Sequence, residues 1–192
     1  MARRDHTIAL ARLVSTLLTL ATASTTATAE GAHQHGVARL EVVVEGDGLR
    51  VTLDSPLDNL LGFERGPRTD AERAAVRTLA QRLRTTGALV QPAADAGCKL
   101  QGVDLASDVI APALLGAAPV TAAAAAAPAG SGHADLEAVF RFRCAQPQAL
   151  RSVALGGLFQ AFPRLRQLDA AVAAPGVQRG ARLRAEQSRL TW

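Results

Sequence analysis

Between Val37 and Asp54 the chain reads as two alternating runs joined by Gly46-Asp47-Gly48. Ala38, Leu40, Val42 and Val44 share one parity, and Arg39, Glu41 and Glu45 the other; after the turn, Leu49, Val51 and Leu53 alternate with Arg50, Thr52 and Asp54. Period two is the repeat of a half-buried strand, because successive side chains of an extended backbone point to opposite faces. Turn residues between two such runs predict a hairpin with one apolar face. Two strands cannot bury that face alone, so the rest of the chain must supply more strands and a cover for them.

A third alternating run, His133 to Cys144, places Ala134, Leu136, Ala138, Phe140, Phe142 and Cys144 on one side, and Asp135, Glu137, Arg141 and Arg143 on the other. The cover comes from Asp70 to about Thr86, where Val76, Leu79, Ala80 and Leu83 fall on one helical face behind a capping box of Thr69 and Glu72. Ser55-Pro56 reads as the N-cap and first residue of a short helix closed by Gly62. Ala88–Gln91, Cys98–Leu105 and Leu165–Val172 are further strand candidates, Phe159 and Phe162 candidate core. Pro147–Leu155 reads as a short helix, Gly156-Gly157 as a helix end, and Ala181–Arg184 with Ser188–Trp192 as a terminal hairpin. Residues 111–132, rich in Ala, Pro, Gly and Ser, read as a flexible insertion. The expected fold class is α+β: an antiparallel sheet, one principal amphipathic helix packed on it, and short additional helices.

The first 29 residues read as a cleaved export signal. Arg3 and Arg4 make a positive start, Ile8 to Ala21 is mostly apolar, and Ala27-Thr28-Ala29 is a small-x-small cleavage site. The apolar run is too short for a membrane anchor and is interrupted by Arg12. Removing the segment takes away three positive charges and one negative, so the net charge falls from +4 to +2. Lys99 is the only lysine, the arginines are interleaved with acids, and tyrosine is absent. That pattern offers nucleic acid neither a basic stripe nor stacking rings. In an oxidising compartment Cys98 and Cys144, the only cysteines, are expected to pair as a disulfide, the alternative being two buried thiols.

His33-Gln34-His35 places two imidazoles one residue apart, a chelating pair if the backbone is extended. Strand parity puts both opposite the core face, and does the same for His133 and Asp135. If the two strands adjoin, three nitrogens and one oxygen converge, a donor set suited to tetrahedral zinc. The competing reading is a solvated terminus and a solvated strand start. Glu64, in a turn bounded by glycine and proline, reads as a solvated acid rather than a ligand. No zinc-protease helix, nucleophile elbow or phosphate loop is present.

Several of these stretches together resemble the ZrgA-like family of periplasmic zinc uptake proteins. They are Ala32-His33-Gln34-His35-Gly36-Val37-Ala38, Ser55-Pro56 with Gly62-Phe63-Glu64, His133-Ala134-Asp135-Leu136 running to Cys144, and Leu158-Phe159-Gln160-Ala161-Phe162-Pro163. The resemblance covers nearly all of residues 30–192 as one domain. It implies a non-enzymatic periplasmic protein that binds zinc and assists its acquisition, with a zinc uptake transporter component as the implied protein partner. Two departures stand out: the family's histidine-rich insertion is replaced by the Ala/Pro-rich stretch, and Arg65 stands where a histidine is common. Guanidinium cannot ligate, so at most one site is expected. The alternative from another class is a structural or partner-binding envelope domain with reduced metal binding. A hydrolase using zinc-bound water, with Glu137 or Glu64 as base, is the least supported reading.

Overall fold

The predicted hairpin forms as β1 (Val37–Glu45) and β2 (Gly48–Pro56). Its antiparallel register ends at Glu45 opposite Gly48. Gly46 takes φ +58° at the first central position of the two-residue turn, the positive φ a type II′ turn requires there. The computed structural model describes residues 34–85, 87–116 and 134–192; the expected export signal over residues 1–29, with its expected cleavage site, lies outside them.

After β2 come α1 (Leu57–Leu61) and α2 (Asp70–Thr85). Then follow β3 (Gln91–Pro92), β4 (Cys98–Ala106), β5 (Asp135–Cys144), β6 (Ser152–Ala154), α3 (Gly156–Ala161), β7 (Gln167–Ala174), β8 (Val177–Leu183) and β9 (Arg189–Thr191). Six strands make one sheet in the order β4-β5-β2-β1-β7-β8, and three make a small sheet, β3-β6-β9. The fold is α+β with most of its regular structure in strands, but the large sheet is mixed: β7 runs parallel to β1, from Val37 opposite Gln167 to Val43 opposite Ala173. The chain makes a crossover to reach that position instead of a hairpin, which side-chain alternation cannot reveal.

The face predicted from parity is the buried one. Leu40, Val42, Val51, Leu53, Leu136 and Phe140 are at most 2% exposed and join Val76, Leu79, Ala80 and Leu83 of α2 in one apolar cluster. The opposite face carries exposed Arg39, Glu41, Arg50, Glu137, Arg141 and Asp169. Arg141 pairs with Asp104, and Arg143 with Asp47 at 2.6 Å. Exposed pairs of this kind contribute little to stability, but they keep the arginines from forming a continuous basic stripe.

Four local expectations are corrected. Ser55 is not an N-cap: it is buried in β2, Pro56 takes the cap position, and the Ser55 hydroxyl donates to the Pro56 carbonyl at 3.2 Å. Pro147–Leu155 is a 3-10 turn followed by β6, not a helix. Gly156-Gly157 begins α3 rather than ending a helix, and a Cβ on Gly157 would lie 2.1 Å from the Ala88 carbonyl oxygen, an approach only glycine permits. The terminal hairpin does not form, because β8 pairs with β7 and β9 with β6, leaving one bridge, Arg184 to Gln187, between them. In addition, Pro112–Leu115 at the start of the Ala/Pro-rich stretch is a 3-10 turn with Leu115 buried; residues 117–133 lie outside the described residues.

The capping box of α2 forms as predicted and is enlarged by Arg65. The Glu72 N–H donates to Thr69 Oγ1 at 3.1 Å, and Glu72 Oε2 accepts from the backbone of Thr69 at 3.1 Å and of Arg68 at 2.6 Å. Arg65 adds a two-pronged pair at 3.1 and 2.6 Å. The Arg65 bond foremost, then the two backbone donors, lower the Glu72 carboxyl from 4.5 to about 2. A depressed acid stabilises the fold above its unfolded pKa and ceases to do so as pH falls through its folded one. Thermal unfolding of Glu72→Gln beside the unsubstituted chain should therefore show a deficit that is full above pH 4.5 and closes as pH approaches 2. A deficit independent of pH would remove the ionised carboxylate from the account.

Candidate metal centre

At one end of the large sheet β1, β5 and β7 begin and β2 finishes. Gln34-His35-Gly36-Val37 forms a β-turn there, with the Val37 N–H bonded to the Gln34 carbonyl at 3.0 Å. Gly36 sits at φ +81°, which a type II turn needs at its third residue, and a Cβ there would meet Arg166 Nε at 3.0 Å. Because the turn breaks the extended backbone, strand parity does not carry back to His35. Its exposure comes from the turn instead.

Asn59 holds this turn from below. It is 1% exposed. Its Oδ1 accepts the Gly36 N–H at 2.7 Å, and its Nδ2 donates to the Val37 carbonyl at 2.9 Å and to Ser55 Oγ at 3.3 Å. On the other side the Gly36 carbonyl accepts the N–H groups of Arg166 and Gln167 at 2.8 and 2.9 Å. The backbone that carries His35 is thereby pinned to α1 and to the start of β7.

The His35 ring stands between two carboxylates. Nδ1 is 3.4 Å from Asp58 Oδ2, and Nε2 is 3.3 Å from Glu64 Oε1. Asp58 lies in the first turn of α1, and its other oxygen is 3.5 Å from Arg164 Nη1. Gly62, at φ +83°, ends α1 and turns the chain toward Glu64. Arg65 points away, paired with Glu72 and 5.3 Å over the Phe63 ring. A cavity of about 370 Å³ adjoins the ring, lined by His35, Gly36, Asp58, Pro163, Arg164 and Arg166.

Of the four ligands predicted from sequence, His35 and Asp135 are described, while His33 and His133 lie outside the described residues. Asp135 opens β5, half-buried and opposite Pro56 in register. The strands β1 and β5 do not adjoin, because β2 lies between them; two strand spacings separate them, about 9.6 Å. The helix α1 links the two motifs across that gap. The Leu57 N–H bonds the Ala134 carbonyl at 2.8 Å, Asp58 faces His35, and Asn59 holds Gly36. Both motifs thus sit at one end of the sheet.

Among the described residues no three His, Cys, Asp or Glu side chains group so as to hold a metal ion. Asp58 and Glu64 lie at opposite nitrogens of one ring instead of converging on a point. The donor chemistry nonetheless suits zinc: an imidazole with a carboxylate beside one nitrogen is the usual way a histidine ligand is oriented. Sequence reading did not find Asp58 and Asn59, which carry no motif spacing and acquire their roles only when α1 folds under the turn.

A family model described as ZrgA family zinc uptake protein matches residues 32–192, and no curated protein matches the chain. The match takes in the opening histidine motif and runs to the last residue. The chain belongs to this family, and its role lies in zinc uptake.

Proposed function

From that membership we propose a periplasmic, non-catalytic accessory protein that binds one zinc ion and presents it to a component of a zinc uptake transporter. His33, His35 and His133 serve as nitrogen donors, with a carboxylate from the same end of the sheet, Asp135 on the sequence reading. The observation that carries the proposal is the meeting of the two motifs around α1, with His35 held on a pinned turn. The leader-like composition of the first 29 residues and the Cys98–Cys144 disulfide support reading the setting as oxidising and exported. An ion enclosed by four protein donors has no open position for a hydrolytic water, which favours carriage over catalysis.

Calorimetric titration of the full chain with zinc chloride tests the proposal. His35→Ala is expected to weaken binding by about tenfold or more, since a ligand is lost outright. Unchanged affinity in a His33→Ala/His35→Ala double variant would eliminate the opening motif. A chain that takes up no zinc would leave the partner-binding envelope domain as the better reading.

A further inference from the structure

We propose that the outer edge of β8 is a docking site for an acidic, extended segment of another protein, which adds to the large sheet as a further strand. This stands independently of the zinc reading. The first ground is the edge itself. β8 ends the order β4-β5-β2-β1-β7-β8, with β7 as its single strand partner among the described residues. Its ladder runs unbroken from Leu168 opposite Leu183 to Ala174 opposite Val177, whereas β4, at the other edge, slips register between Leu100 and Gly102. A regular edge is a template for another strand, and an irregular one is blunted. The two-residue turn Pro175-Gly176 fixes which backbone groups are turned outward. Such a turn closes with a bond between Ala174 and Val177, and hydrogen-bonded pairs then alternate with non-bonded ones along the ladder. Gln178, Gly180 and Arg182 fall at the non-bonded positions, so their N–H and C=O groups face away from β7.

The second ground is the space beside that edge. β8 and β9 are joined through the Arg184–Gln187 bridge and then separate, one to pair with β7 and the other with β6. A groove of about 570 Å³ opens there, with Ala154, Ala181, Leu183 and Leu190 among its lining residues. An added strand sends alternate side chains to the face of Ala181 and Leu183, and so into the groove. The third ground is charge. Four arginines and one acid, Glu186, lie between Val177 and Trp192. Arg182 pairs with Asp169 at 3.3 Å, while Arg184 donates to Gln167 and Arg189 to Ser152. Arg179, Arg184 and Arg189 thus have no acidic partner among the described residues, and Arg179 and Arg189 line the groove. A second copy pairing edge to edge would set arginines against arginines, which is destabilising; a strand carrying Asp and Glu meets them with opposite charge.

Fluorescence anisotropy with two labelled peptides and the full chain tests this, one peptide of alternating Glu and Val and the other of alternating Lys and Val. The Glu peptide should bind at least about tenfold more tightly than the Lys peptide, and lose affinity as salt rises. Gly180→Pro deletes an outward N–H while sparing the β7 ladder, at an edge position that tolerates proline. It should weaken the Glu peptide by about tenfold or more with the urea midpoint of the chain little changed. The double variant Arg179→Glu/Arg189→Glu leaves the backbone as it is and should reverse the preference toward the Lys peptide. Equal binding of the two peptides, or binding of neither, would overturn the proposal. Undiminished Glu-peptide affinity in Gly180→Pro would rule out strand addition. Sedimentation that finds the chain dimeric and Gly180→Pro monomeric would put a second copy on the edge instead of an acidic partner.

Discussion

Asn59→Ala is expected to destabilise the fold by about 2–5 kcal/mol and to weaken zinc binding by at least about tenfold, although Asn59 touches no metal. The side chain is 1% exposed and satisfies the Gly36 N–H and the Val37 carbonyl together. Truncation leaves both groups without that partner in a place water does not readily reach, and each such loss costs about 1–3 kcal/mol. The same bonds set the turn that carries His35, so the ring is released from its position between Asp58 and Glu64. Asn59→Asp is the sharper variant. It keeps an acceptor for Gly36 but sets a buried carboxylate against the Val37 carbonyl, and should be at least as damaging. Urea unfolding gives the stability change and calorimetry the affinity. A stability loss under about 0.5 kcal/mol, the scale of an ordinary surface substitution, would show that the turn holds without Asn59.

What could be read in advance divides by the range of the interactions involved. Long alternating runs fixed β1, β2, β5 and the buried face, and helical spacing fixed the apolar stripe of α2, because those patterns are written in neighbouring residues. The capping box of Thr69 and Glu72 was legible for the same reason. Strand β6 has three residues, too few for alternation to register. The parallel pairing of β7 with β1 and the division of β8 and β9 between two sheets depend on partners far along the chain. At the site, the importance of His35 was legible but its geometry was not. Gly36 turns the chain at φ +81° and cancels the parity that had placed the ring. Glu64 read as a solvated acid because nothing local links it to His35; only the helix stop at Gly62 brings them to 3.3 Å.

Serine at both Cys98 and Cys144 is expected to cost about 2–4 kcal/mol, with far less effect on zinc than Asn59→Ala. The two cysteines are direct register partners across β4 and β5, bonded in a disulfide with a sequence separation of 46. Closing a loop of that length restricts the unfolded chain by roughly 4 kcal/mol in the entropy account of cross-links. The bond also fastens an edge strand. β4 has a single neighbour, β5, and its register slips between Leu100 and Gly102. Without the link, the Lys99 end of β4 relies on a few ladder bonds beside that irregularity. No described cysteine is free, so thiol counting on the unreduced, denatured chain should find none, and reductant alone should reproduce the serine variant's loss. The disulfide lies at the finish of β5, the end of the sheet opposite Asp135 and the His35 turn. A large fall in stability with zinc affinity retained would therefore separate the anchor of the fold from the anchor of the site. Zinc affinity falling in step with stability would instead make the whole sheet the unit that presents His35.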